Sequence, residues 1–409
     1  MCYCTSRLQP AQQARPKVLQ RLLSCLHTTT ANYFASGGQH VAETAAILAG
    51  AIRNISNDTA IQQALTALGA LDDLASLLRG LETQSADSSH RAQIAVQVTA
   101  IVRNLVSSAA SQDGAACVAV LDALVQCGLA LMPYPDVLLN IARTLSKLSS
   151  HQACQDAMSR TQGIMPLLVA SFLRHADNKP TMLRMAYTAG NLTTSGQYNR
   201  AAFAAVPGGI DSVVALMRKY TAQFAKGSSQ AQEVLIKVIR LVANLAIHPD
   251  LGPHLASEEA VAEGLMGSLA IGDCESEDDE ELVLNAVSAV TNLAFYGSPS
   301  NKVTHLPAAD LVHCIAPLLL SDNEEAVSEA ARALSNLCRE PQVPPHLVES
   351  CGVEALCLLL DHGNGDVVEA ASGALVSVTA HSSGRLAVLS AGGFSQLAEE
   401  LMGTQHRSG

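Results

Sequence analysis

The sequence predicts an all-α chain, a solenoid in which short helical repeats stack side by side. Three observations predict it. One phrase recurs eight times at near-regular spacing. The apolar residues in and around each copy fall at helical intervals. The composition is 48% apolar and 15% charged, with seven Tyr, six Phe and no Trp in 409 residues. Ala and Leu must therefore do most of the packing, which suits closely packed helices better than strands.

The recurring phrase is a small or apolar pair, a variable residue, Asn, then an apolar residue. It reads AIRNIS around Asn54, IVRNLV around Asn104, IARTLS around Thr144 and TAGNLT around Asn191. It continues as LVANLA around Asn244, AVTNLA around Asn292, ALSNLC around Asn336 and ALVSVT around Ser377. The spacings are 50, 40, 47, 53, 48, 44 and 41 residues, near the ~40–47 expected of helical repeats with two or three helices each. The phrase lies late in a helix. Val283, Val287, Val290 and Leu293 form one apolar stripe in the sixth copy, and Val327, Ala330, Leu334 and Leu337 do so in the seventh. A second element follows each phrase: a Gly that turns the chain, then a Leu-rich helix, as after Gly163, Gly209, Gly352 and Gly393. Each repeat thus reads as a short helix, a Gly turn, an apolar helix and a longer amphipathic helix. None can bury its apolar faces alone, so neighbours must stack.

In chain order, residues 1–16 read as a flexible tail, 17–401 as the repeat array and 402–409 as a second tail. Three polar insertions, Leu81–His90, Lys219–Gln232 and Ile271–Glu281, read as surface loops. The last Leu-rich helix, Gly393–Leu401, has no third helix after it, so the natural chain is expected to be longer or its end to be covered.

This pattern resembles the armadillo-repeat family over about residues 17–401. The resemblance implies a right-handed α-solenoid of about eight to nine repeats whose third helices line a concave groove. It also implies that the recurrent Asn forms a ladder binding the backbone of an extended partner peptide. By position Asn54, Asn104, Asn191, Asn244, Asn292 and Asn336 match the ladder, while Thr144 and Ser377 depart from it. Local capping by Asn near a helix end is the plainer alternative. The residues one turn earlier on the same face are Gly50, Ala100, Asn140, Tyr187, Arg240, Ser288, Arg332 and Gly373. Nuclear-import receptors of the family often hold Trp there, and this chain has none. Tyr187, Arg240 and Arg332 instead suggest an aromatic and cationic groove in the second half, with Tyr296 one turn after Asn292. Arg53, Arg103 and Arg143 each precede a ladder position by one residue, so stacking would set them in a row suited to an acidic peptide. Local packing or solvation is the alternative for the first set, and a solvated face for the second. Groove-facing amides are expected to add little to the stacked core.

Other functions find little support in the residues. A net charge of −12 argues against a general nucleic-acid binder. Neither a secretory signal nor an apolar membrane span is legible. The odd count of 11 Cys reads as reduced thiols. No phosphate-binding loop, dinucleotide fingerprint, nucleophile elbow or HExxH is present. His305 and the pair His313-Cys314 fall short of the four ligands zinc needs. No catalytic, cofactor or metal site is therefore expected. The acidic run Asp273–Glu281 reads as solvated, or as a dock for a basic partner, and Ser276 within it resembles a site for an acid-directed kinase.

The C-terminal half narrows the resemblance. LVLNAVSAVTNLAFYGSPSNKV, LLLSDNEEAVSEAARALSNLCRE and VVEAASGALVSVTAHSSGRLAVLSAGG are similar to armadillo proteins of motile cilia and flagella. That likeness implies a non-enzymatic adaptor for axoneme assembly, located in the cytoplasm and the cilium or flagellum. Its partners would be radial-spoke cargo and the intraflagellar transport machinery. A nuclear-transport or signalling scaffold of the importin-α or β-catenin type is the alternative.

Overall fold

The computed structural model describes residues 16–82, 88–109, 114–194, 196–271, 274 and 276–391, and every regular element among them is helical. Residues 1–15 of the first tail, the second tail and the helix expected after Gly393 lie outside the described residues, while Pro16 already begins the first helix. The chain divides into two compact units, Met1–Gly208 and Gly209–Gly409.

The first unit holds α1 (Pro16–Ser36), α2 (Gln39–Ile55), α3 (Thr59–Ala67), α4 (Ala70–Glu82), α5 (Ser88–Ala109) and α6 (Gly114–Ala130). It continues with α7 (Pro135–Leu148), α8 (Gln152–Arg160), α9 (Ile164–His175), α10 (Lys179–Thr194) and α11 (Gln197–Ala204). The phrase-bearing third helices α2, α5, α7 and α10 pack in succession, and α1, α4, α6 and α9 form the layer behind them. Leu and Ile fill the space between, and Phe172 packs on Phe203 at 6.2 Å between ring centres.

The second unit repeats the plan. It holds α12 (Gly209–Phe224), α13 (Ser229–Ala246), α14 (Leu251–Ala256), α15 (Glu259–Leu269), α16 (Glu277–Ala294) and α17 (Ala308–Ile315). After these come α18 (Glu324–Leu337), α19 (Val343–Glu349), α20 (Gly352–Leu358), α21 (Gly365–Thr379) and α22 (Ser382–Ser390). Here α13, α16, α18 and α21 stack as third helices. Their buried stripes are rich in Ala: Ala326, Ala330, Ala331 and Ala333 on α18, Ala286 and Ala289 on α16. Small side chains let these backbones approach closely, which is how a chain with no Trp closes its core.

Several local details differ from the sequence expectation. The turn glycine before α12 is Gly208, at φ +75°, and Gly209 already begins the helix. Before α20 the left-handed residue is Cys351, at φ 57°. Gly352 is required for space instead, because a Cβ there would run into the Leu347 side chain. Between α16 and α17 the short first helix is replaced by a turn around buried Asn301. Its Nδ2 donates to the carbonyls of Leu293 and Tyr296, both at 2.9 Å, and its Oδ1 accepts from Val303 N at 2.9 Å. That turn thereby satisfies carbonyls that the end of α16 leaves open.

Two of the polar insertions carry helix: most of Lys219–Gln232, and the last five residues of Ile271–Glu281. Lys219–Gln232 is interrupted only at 225–228, because Ala, Gln and Lys are good helix formers. The acidic run enters α16 at Glu277. Ser276 caps that helix, accepting from Asp279 N at 3.2 Å while Asp279 accepts from Ser276 N at 3.1 Å. The acids of the first turn thus stand at the positive end of the helix dipole. Asp279 and Glu281 also bind α13, through Gln232 Nε2 at 2.6 Å and Lys237 Nζ at 2.5 Å.

Candidate functional site

The ladder positions fall on the third helices at one phase, and what their amides touch is specific. In the first unit Asn104 Nδ2 donates to Ser56 Oγ at 2.9 Å and to Asn57 Oδ1 at 3.2 Å. Asn191 Nδ2 donates to Ser149 Oγ at 3.0 Å. In the second unit Asn292 Nδ2 donates to Ala243 O at 2.9 Å and Asn336 Nδ2 to Thr291 O at 2.8 Å. Each bond reaches the end of the third helix one repeat earlier. The amides therefore staple successive repeats, a correction to the expectation that they add little to the core. An amide has two N–H donors and a carbonyl with two lone pairs. The staple made by Asn292 or by Asn336 uses one donor, so an N–H and the carbonyl remain for a ligand. Asn54 is exposed, and its Oδ1 accepts from Arg53 at 3.0 Å. Asn244 holds the same place on α13, half-buried.

The two departures from the ladder are bridged differently. Thr144 is buried and turns its hydroxyl onto the Asn140 carbonyl of its own helix, at 2.9 Å. Asn140, one turn earlier, makes the contact between repeats: its Nδ2 donates to Val96 O at 3.1 Å. Ser377 pairs with Ser335, Oγ to Oγ, at 3.2 Å.

Beside the first unit's ladder lies a hollow of about 480 Å³ lined by Ile47, Arg53, Asn54, Gln97 and Asp136. Arg103 stands within electrostatic reach of Arg53 and Arg143. Arg103 is held by Asn140 Oδ1 at 2.9 Å and Asn104 Oδ1 at 3.2 Å. Burial lowers its pKa, and the nearby charges of Arg143 and Arg53 lower it further. The charges of Arg53 and Arg143 both reach Arg103, which makes this face a positive strip. Tyr187 sits half-buried on α10 and does not line the hollow.

The second unit has a larger groove, about 820 Å³, along α13, α16, α18 and α21. Its aromatic part is Phe295, 58% exposed, with Arg339 stacked over the ring at 5.5 Å and Tyr296 edge-on at 5.5 Å. Tyr296 itself is a staple: its hydroxyl donates to Ala246 O at 2.8 Å, and burial raises its pKa. The charged part of the lining holds Arg332, the cation that the spacing suggested, together with three carboxylates, Glu329, Asp366 and Glu369. Glu329 pairs with Arg332 at 3.1 Å, while Asp366 and Glu369 are exposed and have no ion-pair partner among the described residues. Arg240 is half-buried on α13 and outside the lining. The acids were legible: Glu329 stands seven residues before Asn336, and Glu369 eight before Ser377. Both spacings return to the same helix face after two turns.

Charge divides between the units in the same sense. Met1–Gly208 carries 15 Lys and Arg against 11 Asp and Glu, and Gly209–Gly409 carries 10 against 26. Among the described residues no group of three or more His, Cys, Asp or Glu stands placed to hold a metal ion, and no single helix is long and apolar enough to cross a membrane.

No protein-family model matches the chain. Among curated proteins it is similar to Armadillo repeat-containing protein 2 of Mus musculus and of Homo sapiens. Each is 28% identical over 86% of this chain and 42% of the relative. The Bos taurus protein of that name is 27% identical over the same shares. The chain thus spans less than half the length of the curated relatives it matches. Among solved structures it is similar to an engineered protein, at 21% identity with a TM-score of 0.55, covering 91% of this chain and 93% of that one. It is also similar to a chain from work on the interaction between cadherin and β-catenin. That match has 16% identity and a TM-score of 0.62, over 91% of this chain and 74% of that one. The fold is an all-α armadillo solenoid.

Proposed function

We propose that the chain is a non-enzymatic scaffold that holds an extended segment of a partner protein along its third helices. We further propose that it serves as an adaptor for assembly of the motile axoneme, carrying radial-spoke components for intraflagellar transport between cytoplasm and cilium. One observation carries the scaffold reading: the amides of Asn292 and Asn336 stand at one phase beside the 820 Å³ groove, each with an N–H and a carbonyl beyond its staple. A partner backbone laid across them finds one donor and one acceptor per repeat, and nothing in that recognition requires chemistry on the partner. The ciliary part is supported by the C-terminal segments quoted above and by the similarity to Armadillo repeat-containing protein 2. The absence of Trp disfavours a nuclear-import receptor, and the β-catenin likeness is one of fold.

The test is capture of partners by the tagged chain from ciliated cells, with Asn292→Ala/Asn336→Ala beside it. Two lost hydrogen bonds of about 0.5–1.5 kcal/mol each amount to roughly tenfold in affinity. Recovery of axonemal proteins by the unaltered chain, reduced in the double variant, is the expected result. Equal recovery by both would move the partner off this face. A tagged chain confined to nuclei or cell junctions would overturn the ciliary reading.

A further inference from the structure

The groove of the second unit has a chemistry of its own, opposite to the positive strip of the first. Resting on the scaffold reading above, we propose that this groove takes a basic extended segment, one whose Lys or Arg side chains recur every two or three residues.

Three observations point to a cationic occupant. Asp366 and Glu369, on α21, are exposed in the lining and have no ion-pair partner among the described residues. Glu329, on α18, is 18% exposed, and its partner Arg332 is 61% exposed. Only the arginine of that pair is open to solvent; the carboxylate is mostly covered, and an incoming cation reaches it by sharing it with Arg332 or displacing that exposed side chain. Phe295, on α16, presents an aromatic face that already accepts a guanidinium: Arg339 lies 5.5 Å above the ring, and 58% of the residue remains open. A second cation gains from the same ring quadrupole.

The spacing follows from the stacking. Neighbouring helices lie about 8–10 Å apart, and an extended chain advances about 3.3–3.6 Å per residue. Glu329 on α18 and Glu369 on α21 stand seven and eight residues before their ladder positions, so a segment crossing from one to the other meets the second carboxylate after two or three residues, whereas Phe295 lies ten residues, about 15 Å of helix, further along. The Asn292 and Asn336 amides hold its backbone while Phe295, Glu329 and the Asp366–Glu369 pair each take a cation. An acidic segment would meet repulsion at two of those three places, and an apolar one would leave the carboxylates desolvated.

Fluorescence anisotropy with the full chain and a labelled ten-residue peptide of alternating Lys and Ser tests this, with the Glu–Ser peptide as its charge-reversed control. The Lys peptide is expected to bind and the Glu peptide to bind at least tenfold more weakly at low ionic strength. Asp366→Asn/Glu369→Gln should weaken the Lys peptide about tenfold. Glu277→Gln/Glu280→Gln, which neutralises two exposed acids outside the groove, should change it less than twofold. All four positions are exposed, so the variants keep the fold, and circular dichroism verifies it. Equal losses from the two pairs of substitutions, or no binding of the Lys peptide, would overturn the proposal. If Asn292→Ala/Asn336→Ala abolishes partner capture while the carboxylate variants leave it unchanged, the groove reading stands and the basic occupant fails.

Discussion

The ladder amides carry the sharpest consequence, because they were expected to touch only a ligand and instead touch the protein. Replacing Asn292 by Ala removes its bond to Ala243 O, and replacing Asn336 removes the bond to Thr291 O. A neutral hydrogen bond is worth about 0.5–1.5 kcal/mol net, and a buried orphan acceptor costs about 1–3 kcal/mol. The released carbonyls belong to the buried residues Ala243 and Thr291, but the vacated Asn positions are half-buried and leave room for water, so the lower figures apply. Each change then costs about 1 kcal/mol and the pair about 2 kcal/mol, which in a unit of some 200 residues lowers the melting temperature by about 4–8 °C. Asn336 bonds the residue next to Asn292, so the singles and the double should be measured together for coupling. Urea unfolding followed by circular dichroism at a helical wavelength reads the loss, with Ser288→Ala as the control that lines the same groove. Asn292 and Asn336 must not behave like Ser288: if the double variant and the control share one midpoint, the amides face only solvent or ligand and the staple assignment is wrong.

Other consequences follow from the same contacts. Ser276→Ala removes one arm of the capping box on α16, so it should destabilise the second unit by about 1 kcal/mol, read as a lowered urea midpoint. Gly384→Ala would drive a Cβ into the backbone carbonyl of Val378 and should cost about 1–3 kcal/mol, read by the same unfolding curve. Burial pushes the Cys338 thiol up to about 12, so iodoacetamide at mildly alkaline pH should label exposed Cys25 and Cys351 and spare Cys338 until the chain is unfolded. The unfolded thiol ionises near 8.5. Cys338 therefore contributes its full stability below that pH, and the contribution is lost as pH climbs toward about 12. Arg332→Gln frees Glu329 from its ion pair and should tighten the Lys–Ser peptide in anisotropy, whereas an arginine serving the partner directly would make the same change weaken it.

How far the sequence could be read depended on which physical quantity each feature needed. The third helices were legible because a repeated phrase at helical phase states which residues share a face, and α13, α16, α18 and α21 carry that phase. The acidic run was misread because like charges suggest a solvated loop, although Ser276 and Asp279 already spelled a capping box. A helix N-terminus tolerates acids that a helix interior would not. The carboxylates of the groove were missed for a narrower reason: looking one turn back from each Asn finds Arg332, and only two turns back finds Glu329. What no spacing contains is the offset between one helix and the next. That offset brings Asn140, rather than Thr144, against Val96, and gives Tyr296, which still lines the groove, a bond to Ala246. A residue's face follows from its own helix, but its partner follows from the stagger of two. The amides at one phase can therefore be both staple and ligand contact, the first donor spent on the neighbouring repeat and the second left where a bound segment would lie.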